Sequence, residues 1–378
     1  MRCSGALFVL TVLCFSLCAG QKKADSGRDI LLEKELLGVT VGSVVGGPKV
    51  TSDDLAGRVV LFVFSGPGDA KWNEFMSRMV NQYVNAVPNG GMITIFAMDN
   101  KTAKDNKWWL DVKGNSLVTL AKGEEFAMPG FFFSGLPRFI LFDAEGKMIG
   151  DICHDGRDLT GNSVHTYAGE RFTPDSLRKL VDIGGSVTKN SSYKDCADDA
   201  RRLAEAAATS APLTQILASL RGKMNSGKGG EKGEAAQILA EFKEYVSKQA
   251  ALIDRNAASN PLLSMRALKR MTTQLAGDKE LMLPFEKLQK QFKDNTRFQE
   301  ELKAADALSA TRSLAASIAW GLKDPDFPQR PKEKVAAIRK GLQEIIAKFP
   351  RSNAAQTAEE LQVAYSAWVG KAINPQAW

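Results

Sequence analysis

Apolar residues along the chain follow two different periods, and the change between them falls near residue 192. In the first half they gather in short unbroken runs. Val59-Val60-Leu61-Phe62-Val63-Phe64 is continuous, β-branched and aromatic, the pattern of a strand buried on both faces. Asp53-Asp54-Leu55-Ala56-Gly57-Arg58 leads into it as a short turn, and Ser65-Gly66-Pro67-Gly68-Asp69 breaks it. Trp72, Phe75, Met76, Met79, Val80, Tyr83 and Val84 then recur at spacings of three and four, which predicts an amphipathic helix capped by Asp69. Pro88-Asn89-Gly90-Gly91 ends it, and Met92 to Met98 is a second buried strand. Strand, helix and strand in that order predict a right-handed parallel crossover. Residues 99–134 carry no regular pattern. Arg138 to Phe142 is a third strand, followed by Asp143-Ala144-Glu145-Gly146, a turn in which the glycine takes a positive φ. Lys147 to Cys153 is the antiparallel return. Thr173 caps and Pro174 starts a helix in which Leu177, Leu180 and Val181 face inward, closed by Gly184-Gly185.

Beyond residue 192 the sequence offers no strand. Alanine-rich helices are predicted over 197–208, 213–224, 234–257, 261–276, 296–321, 331–349 and 352–371. In the third, Ile238, Leu239, Phe242, Tyr245, Val246, Leu252 and Ile253 form one stripe. Asn225 to Gly233 is a break between helices, and Pro261, Pro284 and Pro331 mark helix starts or kinks. Phe349-Pro350-Arg351-Ser352-Asn353-Ala354-Ala355 resembles the join between helices in tetratricopeptide-type repeats, but no 34-residue period is sustained. A helical bundle and a short helical-repeat array both remain open.

Length and composition set the domain count and the compartment. At 378 residues the chain is too long for one ordinary core, and 44% hydrophobic with 25% charged residues is the balance of a water-soluble fold. The net charge of +7 is spread without a Lys/Arg stripe interleaved with aromatics, so no nucleic acid is expected as a partner. Arg2, the apolar run Leu7 to Leu17 and the small residues Cys18-Ala19-Gly20 read as a secretory signal peptide over 1–20. Cys18 is an alternative lipid-anchor site, and no transmembrane span is expected. The resulting division is 1–20 signal peptide, 21–37 polar tether, 38–187 α/β domain and 192–378 all-helical domain. Loss of the signal removes Cys3, Cys14 and Cys18 and leaves Cys153 and Cys196, which are one disulfide or two separate thiols.

The order of the first half resembles the thioredoxin-like fold, and within it the TlpA-like and redoxin branch. Three segments over residues 38–185 carry the likeness: Asp54 to Leu61, Gly135-Leu136-Pro137 running into Arg138 to Gly146, and Thr173 to Leu177. The resemblance implies a central mixed sheet flanked by helices. It also implies that Pro137 is a cis-proline which, with Leu136, borders an extended peptide-binding edge. In that family a Cys-x-x-Cys pair begins the helix after the central strand, where the helix dipole lowers a thiol pKa. Here the place reads Ser65-Gly66-Pro67-Gly68-Asp69, and no register puts a cysteine there. A serine hydroxyl is too basic to substitute without a partnered base. No catalytic residue and no cofactor or metal is therefore expected from the family.

One other place crowds reactive groups together. Cys153-His154-Asp155, with Asp151, Asp158 and His165 nearby, is the alternative for a relocated thiol or a metal site, with Cys196 as resolver. No pair of ligand pairs has zinc spacing. The leading expectation is a redox-inactive envelope protein that binds or scaffolds an envelope or secreted protein or peptide through Ser65, Gly66, Pro67, Gly68, Asp69, Leu136 and Pro137. The alternatives are a thiol-disulfide oxidoreductase or antioxidant enzyme using Cys153 and Cys196, and a structural protein stapled by a Cys153–Cys196 disulfide. The compartment is periplasmic or envelope-associated in a bacterium. In a eukaryote it is extracellular, with Asn100-Lys101-Thr102 and Asn190-Ser191-Ser192 as glycan acceptors.

Overall fold

The computed structural model describes Leu36, Val39, Val87 and residues 41–64, 90–98, 117–122, 138–153, 174–189, 192–321 and 331–372. Among the described residues six strands form one sheet: β1 (Val44–Gly46), β2 (Val59–Phe64), β3 (Met92–Met98), β4 (Leu117–Lys122), β5 (Arg138–Phe142) and β6 (Met148–Cys153). Their spatial order is β1-β4-β3-β2-β5-β6. β2 runs parallel to β3 in the register Val60↔Ile93 and Phe62↔Ile95, and antiparallel to β5 with Phe62 opposite Ile140. β6 returns antiparallel on β5 as expected, with Cys153 opposite Arg138 at the sheet edge. The expected helix over 72–84 lies outside the described residues.

Both faces of the central strands are buried, as the unbroken apolar runs require. Val59, Leu61 and Val63 point one way and Val60 and Phe62 the other, all at 5% exposure or less. Phe62 and Phe142 meet edge to face at 5.9 Å. The hairpin turn forms as expected: Gly146 has φ 78°, and Asp143 Oδ1 accepts from the Glu145 and Lys147 N–H groups at 2.9 Å. Burial raises the Asp143 carboxyl above its ordinary value, against these two N–H groups.

Two strands were not legible as strands. β4 falls inside the stretch read as irregular, and it exists by pairing in parallel with β3, Ile93 opposite Leu117. β1 then pairs antiparallel with β4. The lead into β2 is a 3-10 turn over Ser52–Leu55, in which Asp54 accepts from the Thr51 N–H and hydroxyl, both at 2.7 Å.

The described chain beyond residue 192 is helical. Helix α1 (Pro174–Gly184) follows the sheet, with Leu177 and Val181 fully buried and Leu180 half-buried. Then come α2 (Ala197–Ala208), α3 (Thr214–Ser226), α4 (Glu231–Asn256), α5 (Pro261–Gln274), α6 (Lys279–Asp294), α7 (Thr296–Gly321), α8 (Pro331–Lys348) and α9 (Asn353–Ala372). Pro261 and Pro331 begin helices as expected, and the Asn260 side chain caps α5 by accepting from the Leu263 N–H at 3.2 Å. Pro284 does not begin one. It sits inside α6, whose start is capped instead by Asp278 accepting from the Leu281 N–H at 3.3 Å. A proline that early removes one intrahelical bond, and burial of Leu281, Phe285, Leu288 and Phe292 outweighs it.

Packing does not break where the secondary structure changes. One core cluster holds Val60, Phe62, Ile93, Ile95, Ile140 and Phe142 of the sheet together with apolar residues of α2 to α6 and Phe298 at the start of α7. Leu36, at the end of the stretch read as a tether, is buried in that same cluster. A second cluster begins at Ala304 within α7 and takes in Val335, Ile338, Leu342, Ile345, Ala358, Leu361 and Tyr365 of α8 and α9.

Candidate functional site

The seven residues expected to bind a partner, Ser65, Gly66, Pro67, Gly68, Asp69, Leu136 and Pro137, lie outside the described residues, as do His154, Asp155, Asp158, His165 and Cys18. What the described residues place together is a buried polar cluster between the sheet and the helices. Arg58 enters it from the first turn before β2. The guanidinium donates to the Tyr245 hydroxyl at 2.7 Å, to the Gly90 carbonyl at 3.4 Å and to the Ala207 carbonyl. Arg270 of α5 reaches the same hydroxyl at 3.1 Å and also donates to Gln249 Oε1 at 2.6 Å and the Ala56 carbonyl at 3.2 Å. Gln249 Nε2 donates to the Gly57 and Gly184 carbonyls at 2.9 and 2.6 Å. Gln274 Nε2 donates to the Ala207 and Thr209 carbonyls.

These acceptors share an origin. Gly184 ends α1, Ala207 and Thr209 end α2, and Ala56 and Gly57 form the turn before β2. Carbonyls at helix ends have no partner within the helix, and cations near a helix C-terminus are favoured by its dipole. The cluster therefore caps two helices and the lead of the central strand at once. Gly57 has φ 74°, and a Cβ there would stand 3.1 Å from Gln249 Oε1, so the turn needs glycine.

The electrostatics are those of a closed interior. Arg58, Tyr245, Gln249, Arg270 and Gln274 are all exposed by 3% or less. Burial pushes Arg58 down to about 10, with Arg270 adding to the shift and Tyr245 and Asp54 opposing it. Burial alone would raise the Tyr245 phenol, but Arg270 and Arg58, by charge and by hydrogen bond, hold it below its ordinary value. Asp54, 2% exposed, is bonded by Thr51 and by the Ser210 hydroxyl. Among the described residues Arg58 Nε and Arg270 Nε have no acceptor. Bonded to one another and to backbone carbonyls, these buried side chains act as a staple.

The two cysteines are placed differently. Cys153 ends edge strand β6. Cys196 is the residue before α2, 1% exposed, with a free thiol, so the disulfide the sequence left open is not formed. Its sulfur donates to the Glu231 carbonyl at 3.6 Å. Glu234 caps the turn by accepting from the N–H groups of Lys194, Asp195 and Cys196 at 2.8–3.0 Å, which holds its carboxyl below the ordinary value. Burial pushes the Cys196 thiol up; Asp199, Glu234 and Glu231 add to the rise and Lys223 opposes it. A buried thiol held back from ionisation is a poor nucleophile even at a helix start. Among the described residues no group of three or more His, Cys, Asp and Glu could hold a metal, and no helix is long and apolar enough to cross a membrane.

Surface relief lies elsewhere. A groove of about 580 Å³ runs between α5 and α6 to the start of α7, and another of about 770 Å³ lies between α7 and the α8–α9 turn. In the second, Glu301 accepts from the Asn353 N–H at 3.0 Å and so caps α9.

No family model, curated protein or solved structure compared with the chain matches it.

The buried cluster escaped the sequence reading, yet a signal was present. Gln249 interrupts the apolar stripe of α4, three or four places from Tyr245, Val246, Leu252 and Ile253. Arg270 and Gln274 interrupt the stripe of α5 in the same way, three places from Ala267 and from Met271 respectively. Polar residues on a buried face must meet polar partners.

Proposed function

We propose that this chain is an exported, redox-inactive thioredoxin-like protein that works as a protein- or peptide-binding scaffold. The observation that carries this reading is the state of Cys196. The oxidoreductase alternative needs a resolving thiol that can be ionised and reached; Cys196 is buried, bonded to a backbone carbonyl, and pushed by burial away from ionisation. The sequence between β2 and β3 contains no cysteine, so the usual place for the attacking sulfur is empty of it. The order β3-β2-β5-β6, with one parallel and two antiparallel pairings and a helix after the hairpin, supports the thioredoxin-like part of the reading. Export rests on the leader pattern of residues 1–20 and on nothing further.

The test is disulfide reductase and peroxidase turnover of residues 21–378 beside the Cys153→Ser/Cys196→Ser variant. No turnover in either is the expected result. Turnover that disappears in the variant overturns the scaffold reading and makes Cys153 a relocated active site.

A further inference from the structure

The groove between α5 and α6 combines an apolar floor with a cationic rim. Leu262 and Met265 of α5 are half-buried along it, and Leu268 and Phe292 lie beneath them. Arg266 and Lys269 of α5 and Lys293 of α6 stand at its edges. Asp53 is the single acid lining it among the described residues, and Arg266 already engages that carboxylate at 3.6 Å. Lys269 and Lys293 are exposed and have no carboxylate within salt-bridge distance among the described residues. Among the described residues the groove thus presents positive charge in excess of its carboxylates over an apolar strip.

Its dimensions suit one kind of occupant. From Leu262 to Thr272 the α5 wall advances ten residues, roughly 15 Å, or about three helical turns. Residues 262, 265, 266, 269 and 272 share one face of that helix, the spacing against which a second helix packs. A floor containing methionine adapts to side chains of different shape. We propose that this groove receives an amphipathic helix of a partner protein, with leucine-like residues on its apolar stripe and carboxylates on both flanks meeting Lys269 and Lys293. The inference rests on the scaffold reading above and adds to it the place and chemistry of the partner.

The probe is a labelled synthetic helix of about four turns, leucine at i, i+3/i+4 and i+7 and glutamate flanking, titrated against full-length mature protein by fluorescence anisotropy. A second helix carries lysine in place of glutamate, and vesicles of anionic phosphatidylglycerol form a third arm. The expected result is binding of the acidic helix alone, weakened about tenfold or more in Lys269→Glu/Lys293→Glu and by raising salt to about 0.5 M. The control Lys228→Glu/Lys232→Glu keeps wild-type affinity. Amide exchange of unsubstituted protein should slow within residues 262–272 and 289–299 on binding. No binding of the acidic helix, binding unchanged by the Lys269/Lys293 reversal, or vesicle binding that this reversal abolishes each overturns the inference. Failure here with no redox turnover leaves the scaffold reading standing; turnover with helix binding refutes the scaffold reading and leaves the groove.

Discussion

Replacing Tyr245 with phenylalanine tests the account of the buried cluster. The ring stays: Phe242 packs 5.8 Å from it and the Arg58 guanidinium lies 5.6 Å from its centre, contacts that Phe keeps without opening a cavity. What disappears is one oxygen that accepts from two buried guanidiniums, at 2.7 and 3.1 Å. Hydrogen bonds to charged donors contribute about 1.5–3 kcal/mol each, and both arginines keep their carbonyl acceptors, so a loss of about 2–4 kcal/mol is expected. The loss should also depend on pH. The folded-state phenol lies below the ordinary tyrosine value, so between the folded pKa and about 10 the unfolded chain holds one more proton than the folded one. Stability from this group is therefore complete above the unfolded pKa and falls away as pH drops through the folded one. Urea unfolding of wild type and Tyr245→Phe at pH 7 and pH 9.5 measures both effects. The penalty should be larger at pH 9.5; Tyr193, which burial and Glu241 push upward, is common to both proteins and drops out of the difference. A penalty under about 0.5 kcal/mol, or one that shrinks toward pH 9.5, would refute the reasoning.

Three further outcomes follow from the same geometry. Gly90→Ala should destabilise by about 2 kcal/mol or more by thermal melting, since φ is 71° and the new Cβ would stand 2.6 Å from Val187 Cγ2; a neutral result sinks the packing argument. The Cys196 thiol in a Cys153→Ser background should react with Ellman's reagent at least about a hundredfold more slowly in buffer than in urea, and equal rates would mean it is reachable. Glu301→Ala removes the cap on the Asn353 N–H, so amide exchange over residues 353–356 should quicken while exchange in α4 stays unchanged; quickening in both would show that the two core clusters open together.

How much of this could be read in advance depended on whether an element's cause was local. Val59 to Phe64 and Met92 to Met98 carry their burial in their own composition, and Asp143 to Gly146 carries its turn, so all three appear where expected. The 197–208 helix matches residue for residue because its alanine-rich pattern is self-sufficient. β4 has no such signal: Leu117 to Lys122 becomes a strand by lying beside β3, a pairing partner more than twenty residues away. α6 was hidden by Pro284, whose local cost is overruled by four buried residues. The staple was half legible. Polar residues on the apolar faces of α4 and α5 announced a need for partners, but only the fold brings Arg58, 187 residues from Tyr245, to the same hydroxyl.

That long-range bond bears on what the helical half is for. The switch in hydrophobic period near residue 192 separates two kinds of secondary structure, yet Val60, Phe62, Ile140 and Phe142 are buried in the same core as α2 to α6. A sheet face covered in this way is no longer free to meet a partner, and side chains from α4 and α5 cap the very turn that leads into its central strand. The helices therefore act on the sheet as part of its core, and what they leave open to solvent is their own outer surface. The break in packing comes later, inside α7, between Phe298 and Ala304, where one continuous helix joins two core clusters. The apolar, cationic groove lies on the sheet-bearing side of that break, between α5, which supplies Arg270 and Gln274 to the buried cluster, and α6, which buries Phe285 and Phe292 in the larger core. A docking surface on such elements is held in shape before a partner arrives, which lowers the ordering cost of binding.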